Sequence, residues 1–351
     1  MSSDRILEIQ DIVRRSTRVH VVGSQTKTGF HQEVDGAVQI STGMLQGVVA
    51  YDPQEFVITV LSGTRVSEVV DVLAEQGQYL PFDPLLSRGQ ATIGGTVASN
   101  AAGPGRFRFG GIRDFLLGVR FVDGRGNCIR GGGQVVKNAA GFDYPKLMVG
   151  SQGKLGLIYE LTFKVFPRPE SFATMVSRFV DLNQALTCMN QIASSAMDVE
   201  AIDLIPDIGV GAGYELAIRI GGIATAIPNR LARLQKLAPD SRVMLDREDA
   251  SYWLDVSSFV WAPSASMLKL PITAKVIPEL EQTLSDSQVL RRYSVAGNVV
   301  WIASPQCESG WSKFGTPQVF LGCSKESIGS PRTGPFGLAL KRAIDPEMKW
   351  S

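Results

Sequence analysis

"GFDYPKLMVGSQGKLGLI", residues 141–158, sets Gly150, Gly153 and Gly156 three residues apart, directly ahead of an alternating stretch. A helix cap uses one such glycine, so a cap does not account for three. Gly150-Ser151-Gln152-Gly153 reads as a turn. Gly156-Leu157-Ile158 then leads into "YELTFKVFPRP" (159–169), where Leu161, Phe163 and Val165 alternate with Thr162, Lys164 and Phe166. That is a strand, stopped by Pro167 and Pro169. Glycines beside a strand let the backbone approach a ligand closely. A phosphate loop, a helix cap and the wall of a cofactor site are the three readings to separate.

Working outward, glycine stays dense. Residues 94–156 hold 16 of the 36 glycines, and nine Arg or Lys against three Asp. Close backbone approach with local positive charge suits a bound anion. Within the window, "PFDPLLSRGQATIGGTVASNAAGPG" (81–105) has no charge from Gly89 to Gly105. Its small side chains would let backbone amides face a flat or charged ligand. A tightly packed loop–helix junction explains them equally well. "GGIRDFLLGVRFVDGRGNCIR" (110–130) carries a hairpin turn at "DGRGN". Its Arg113 meets either a phosphate or a neighbouring acid such as Asp114. Upstream, "VVGSQTKTGF" (21–30) follows a β-rich run. It is neither a Walker loop nor a dinucleotide G-x-G-x-x-G, because Lys27-Thr28 precedes Gly29.

The remaining chain frames these stretches. "MSSDRILEIQDIVRRS" reads as an amphipathic helix capped by Ser3, not as a secretory signal. "EFVITVLSG" (55–63) is a strand and "GTRVSEVVDVLAEQG" (63–77) a helix, with Thr64 as its cap and Gly77 as its end. After Pro169 the pattern changes to alternating strands and helices up to residue 304. "DLNQALTCMNQIASS" and "IPNRLARLQKLA" are the clearest helices there, the second with Ile227, Leu231, Leu234 and Leu237 on one stripe. Residues 305–337 are loop-like, and "FGLALKRAI" is a short closing helix. Trp253, Phe259 and Trp261 read as core of the second part, with an exposed partner face as the alternative.

A net charge of +1 gives no reason to expect nucleic acid as a partner, and no apolar run reaches membrane-helix length. The four cysteines, Cys128, Cys188, Cys307 and Cys323, form no C-x-x-C pair, so buried free thiols in a reducing cytoplasm are expected rather than a zinc or iron–sulfur site. Only two histidines occur, His20 and His31. No imidazole base, triad or ligand comes from the chain beyond residue 31.

Taken in order from about residue 17 to 169, "YDPQEFVITVLSGTRVSEVVDVLAEQGQYLPFDP", "ATIGGTVASNAAGPGRFRFGGIRDFLLGVRFVDGRG", "VVKNAAGFDYPKLMVGSQGKLGLI" and "FPRP" resemble the FAD-binding domain of the vanillyl-alcohol oxidase and p-cresol methylhydroxylase (PCMH) superfamily. The "VVKNAAGFD" form is most similar to the FAD-binding E subunits of bacterial glycolate oxidases. The resemblance implies an α+β fold: a two-part PCMH-type FAD-binding domain over residues 1–169, an α/β cap with a small antiparallel sheet over 170–304, and a tail over 305–351 packing back on the first domain. It implies that Gly23, Ser24, Gln25, Thr26 and Lys27 form a first pyrophosphate loop. Pro84, Thr92, Gly94, Gly95, Ala98, Ser99 and Gly103 would line the pyrophosphate and ribityl chain. Arg113 and Asp114 would sit near the flavin. Gly150, Ser151, Gly153, Gly156 and Ile158 would hold the adenine end and the inner wall, which makes the opening stretch a cofactor wall.

The departures sharpen the expectation. Where relatives attach flavin through a His after the first loop glycines, this chain has Gln25, Thr26 and Lys27, and His31 falls a few residues late, so FAD is expected to be noncovalent. Relatives that oxidise 2-hydroxy acids carry a histidine-rich metal site in the second domain. This chain has no such histidines, so no metal site is expected and no catalytic residue is assigned. The tail keeps "LKRAIDP" but ends "EMKWS" instead of the family's Phe-Asn-Pro-Gly. The implied function is an FAD-holding subunit that relays electrons or completes assembly in a complex oxidising glycolate to glyoxylate. Its expected partners are a catalytic FAD- and metal-bearing subunit and an iron–sulfur subunit. Its expected location is the cytoplasm, with any approach to the inner membrane made through partners. The alternatives are a self-sufficient FAD oxidoreductase using Lys269 or Tyr252 as base, and a non-catalytic assembly partner.

Overall fold

Alternation decides the first sheet. Ile58 and Val60, then Leu161 and Phe163, are fully buried on their strands, with Val165 buried just past the second, and Val66, Val69 and Leu73 bury one stripe of the helix Val66–Ala74 against them. In the computed structural model this gives a five-stranded antiparallel sheet in the order Val48–Asp52, Val57–Leu61, Leu157–Lys164, Leu116–Val122, Cys128–Gly132. The structure describes residues 2–30, 34–133, 142–207, 213–238, 240–263, 266–284, 289–304, 311, 313–322 and 334–351. His31, Cys307, Cys323 and most of "VVKNAAGFD" lie outside the described residues. The "DGRGN" hairpin forms as read: the Asp123 carboxylate accepts from the amides of Arg125 and Asn127 at 2.9 and 2.8 Å. The α+β class also holds.

Two capping expectations fail. The first helix spans Ser2–Arg15, so Ser3 sits inside it. The second begins after Arg65, and Thr64 instead turns its hydroxyl to Gly47. Gly77 does adopt a left-handed conformation at the end of that helical stretch, with φ +63°.

The second sheet is larger than expected. Eight antiparallel strands run in the order Ser241–Leu245, Ser171–Phe179, Tyr214–Gly222, Val199–Pro206, Leu290–Ser294, Val299–Ser304, Ser266–Pro271, Gln318–Leu321. Gln318–Leu321 corrects the expectation of a tail starting at 305, because it pairs with Ser266–Pro271. The helices Leu182–Ala193, Ile227–Gln235 and Ile277–Leu284 cover one face and share a core with Ile202, Leu204, Leu216 and Ile218. Leu237 falls beyond its helix and is exposed, so it leaves the apolar stripe. Trp253 and Phe259 are core residues of this part.

A parallel pair, Val19–Val22 with Val38–Ser41, stands apart from both sheets. It shares a core with the first helix through Ile9 and Val13, and Trp350 near the C-terminus fills that core with no exposure. Within the described residues no helix is long and apolar enough to cross a membrane.

Candidate cofactor site

The end of the Val19–Val22 strand opens into a cleft. Its walls are His20–Lys27 and Phe30, then Thr42 and Ser62, then Thr92, Gly94, Gly95, Ala98 and Ser99, and finally Gln152, Gly153, Gly156 and Ile158. The cleft is open at its mouth, and with the solvent there counted its space is about 850 Å³.

The loop Gly23–Lys27 supplies the chemistry. Among the described residues, none accepts a hydrogen bond from its five backbone amides. Gln25 takes the left-handed conformation at φ 55°, which is uncommon for a residue with a side chain. Successive free amides around such a residue form a concave anion site. Lys27 lies beside them, 8% exposed and without a carboxylate partner among the described residues. Its Nζ sits 3.9 Å from where a Cβ on Gly95 would stand. Burial pulls its ammonium down from the ordinary 10.5 to about 8. A buried cation without a partner is costly unless a ligand answers it. The donor set fits a pyrophosphate.

The helix Ile93–Ser99 forms the facing wall. Its first amides are already used: Ile93 donates to the Thr64 carbonyl at 2.9 Å, Gly94 to the Ser62 carbonyl at 2.8 Å, and Gly95 to the Thr92 hydroxyl at 3.2 Å. This corrects the expectation that the Gly94-Gly95 amides face a ligand. The small residues serve close packing there. A Cβ on Gly94 would lie 2.7 Å from Ser62. The Ser62 hydroxyl itself is buried at the cleft with no hydrogen-bond partner.

The opening stretch forms the last wall. Gly150 and Gln152 donate to the carbonyls of Val97 and Ala98 at 3.0 and 2.9 Å, so the turn is hydrogen-bonded to the helix opposite. Gly156 has φ 146°, and a Cβ there would sit 2.6 Å from the Val122 carbonyl oxygen. No other residue fits that backbone and that gap.

Of the residues singled out from sequence, Gly23–Lys27, Thr92, Gly94, Gly95, Ala98, Ser99, Gly153, Gly156 and Ile158 meet at the cleft. Six do not line it. Pro84 bridges to Ala102, and the Gly103 amide serves Phe82 and Asp83. Arg113 and Asp114 are exposed, and Asp114 accepts from the Gly111 amide at 2.8 Å. Gly150 and Ser151 lie behind the wall, bonded to Val97 and Met148. His20, Val21, Val22, Phe30, Thr42, Ser62 and Gln152 line the cleft without having been singled out. The first three follow from strand continuity into the loop, and Gln152 from the glycine spacing around it. Thr42 and Ser62 carry no local signal.

The two candidate bases stand elsewhere. Lys269 is buried in the second sheet, donates to the Asn100 carbonyl at 3.1 Å, and is lowered to about 8 by burial and then by Arg106. The Tyr252 hydroxyl accepts from Arg292 at 3.0 Å, and Arg292 pairs with fully buried Asp203. Neither lines the cleft.

Comparison with known families matches residues 3–132 to the model described as "FAD binding domain". This part of the chain is similar to an FAD-binding domain. Its cofactor is FAD. The match covers the loop and the helix wall of the cleft and stops before the glycine wall at 150–158. The chain is 38% identical over 186 residues to glycolate oxidase subunit GlcE of Escherichia coli (strain K12), covering 53% of each. It is 29% identical over 203 residues to a D-lactate dehydrogenase of Anaerostipes hadrus, covering 56% of this chain and 42% of that one. It thus spans about half the length of the curated relatives it matches. An alkyldihydroxyacetonephosphate synthase structure shares the fold at a TM-score of 0.75, with 15% identity, over 99% of this chain and 74% of that one.

Proposed function

We propose that this chain is the FAD-holding subunit of a complex that oxidises a 2-hydroxy acid, glycolate to glyoxylate. The observation that carries it is the run of five amides beside buried Lys27, all without a partner among the described residues. Gly23–Lys27 hold the pyrophosphate. The faces around Ala98, Ser99, Gly153 and Gly156 hold the flat parts of the cofactor. FAD, held noncovalently here, would supply a two-electron carrier. The similarity to a glycolate oxidase subunit and to a D-lactate dehydrogenase supports the substrate class. The chain contributes no histidine beyond residue 31 to take the hydroxyl proton, which favours a relay or assembly role. A partner subunit bearing FAD and metal then performs the chemistry, with an iron–sulfur subunit carrying electrons onward. We place the complex in the cytoplasm, at the inner membrane only through its partners.

The chain is purified alone and its visible spectrum recorded before and after glycolate is added without oxygen. A flavin spectrum released by acid and left oxidised by glycolate until a partner is added is the expected result. Bleaching by glycolate in the isolated chain overturns the relay role. A folded, colourless protein that cannot be reconstituted with FAD overturns the whole reading.

A further inference from the structure

Among the described residues, nothing accepts from the amides of Gly23–Lys27, which leaves that loop without backbone hydrogen bonds from its own donors. Something else must hold it. The chain turns directly after it, with the Phe30 amide donating to the Lys27 carbonyl at 3.1 Å. The turn Thr28–Phe30 then lies against Gln318–Leu321, the outermost strand of the eight-stranded sheet. The Gly322 amide donates to the Thr28 hydroxyl at 2.8 Å. Gly29 faces Val319 so closely that a Cβ would stand 2.3 Å from its carbonyl oxygen. Phe30 meets Phe320 edge-on at 5.8 Å between ring centres, and Phe320 packs on Phe259 and Trp301. The neighbouring strand, Ser266–Pro271, sends Lys269 to the carbonyl of Asn100, the left-handed residue that ends the helix Ile93–Ser99.

Two adjacent strands at one edge of the second sheet therefore touch the two facing walls of the cleft. We propose that this edge is a brace that sets the separation of those walls, making Thr28, Gly29 and Lys269 positioning residues for FAD. None of the three lines the cleft. The inference rests on the FAD reading above. Pre-organised walls bind more tightly because binding does not have to order them. Coupling of this kind is reciprocal, so FAD must in turn steady the strand that braces its loop.

The test uses the full chain, stripped of flavin and titrated with FAD, with hydrogen exchange read at the amides of Val319–Leu321. Wild type is expected to bind FAD and to slow exchange at those amides, which do not line the cleft. Gly29→Ala forces the strand off the loop. It is expected to weaken FAD binding about tenfold, as overpacking of one methyl does, and to abolish the slowing. Gly89→Ala, whose Cβ would have no neighbour nearer than 3.7 Å, is the neutral control. If Gly29→Ala does not fold, Thr28→Val is expected to weaken binding several-fold and Thr28→Ser to restore it. Wild-type affinity in Gly29→Ala or Thr28→Val, or FAD-dependent slowing that survives either change, overturns the brace. A wild type that takes up no FAD overturns the cofactor reading itself.

Discussion

Replacing Lys27 by Met should move stability and cofactor affinity in opposite directions. The side chain is 8% exposed, and burial alone lowers its pKa from 10.5 to about 8. The folded, empty protein thus holds this proton less well than the unfolded chain. The penalty is fully present below pH 8 and fades as pH rises from about 8 towards 10.5. Taken at face value, the shift corresponds to about 3 kcal/mol at neutral pH, and about 1–3 kcal/mol is the range we expect. Lys27→Met removes the penalty, so the empty protein should gain that much in urea unfolding at pH 7. The same change removes the cation from the proposed pyrophosphate site. A charge-assisted contact in such a setting is worth about 2–3 kcal/mol, or a loss of roughly 30- to 150-fold in FAD affinity. An anion beside the ammonium raises its pKa again, so binding takes up a proton above pH 8. Wild-type FAD affinity should stay level with pH below 8 and fall by up to about tenfold per pH unit above it. The variant should show no such fall. Titration of flavin fluorescence between pH 6 and 10 measures both. A destabilised empty variant, or FAD affinity within about twofold of wild type, refutes the reasoning.

Three further outcomes follow from the packing. Asp203→Ala leaves Arg292 buried without its carboxylate and should cost about 3–5 kcal/mol in urea unfolding; a loss under about 1 kcal/mol would mean water reaches the guanidinium. Trp350→Ala empties the centre of the cluster around Ile9, Val13 and Val19 and should cost about 3–5 kcal/mol in the same assay, with an unchanged unfolding midpoint counting against that packing. Gly156→Ala meets both a φ of 146° and the Val122 carbonyl, so it should abolish FAD retention on a desalting column, whereas a variant that stays yellow contradicts the wall.

Local chemistry made part of the fold legible. The helix read in "DLNQALTCMNQIASS" forms over Leu182–Ala193, and Asp181 caps it by accepting from the Gln184 amide at 3.0 Å. The hairpin at Asp123 is equally local, whereas the strand read as running to Pro167 ends at Lys164. The reach of the second sheet was not legible, because its outer strands, Ser241–Leu245 and Gln318–Leu321, owe their pairing to Ser171–Phe179 and Ser266–Pro271 far along the chain. The site divides in the same way. Glycine spacing marked the turn at 150–153, and the loop after Val22 was visible as a turn. Ser62 and Thr42 enter the cleft only through contacts with distant residues. The Gly94-Gly95 pair shows why small residues alone mislead: packing against Ser62 and exposing amides leave the same mark in sequence.

The end of the chain is tied into the strand that opens the cleft. The Val19 amide donates to the Lys349 carbonyl at 2.9 Å, the Ser351 amide donates back to Val19 at 3.2 Å, and Lys349 reaches the Val13 carbonyl at 3.0 Å. A ribosome makes Val19 early and Trp350 more than three hundred residues later. Until then the small core behind the cofactor loop has an open centre where Trp350 belongs. The strand that delivers Gly23–Lys27 therefore gains its full backing only after the second sheet has been synthesised. The order of synthesis thus separates the making of the loop from the completion of the core behind it.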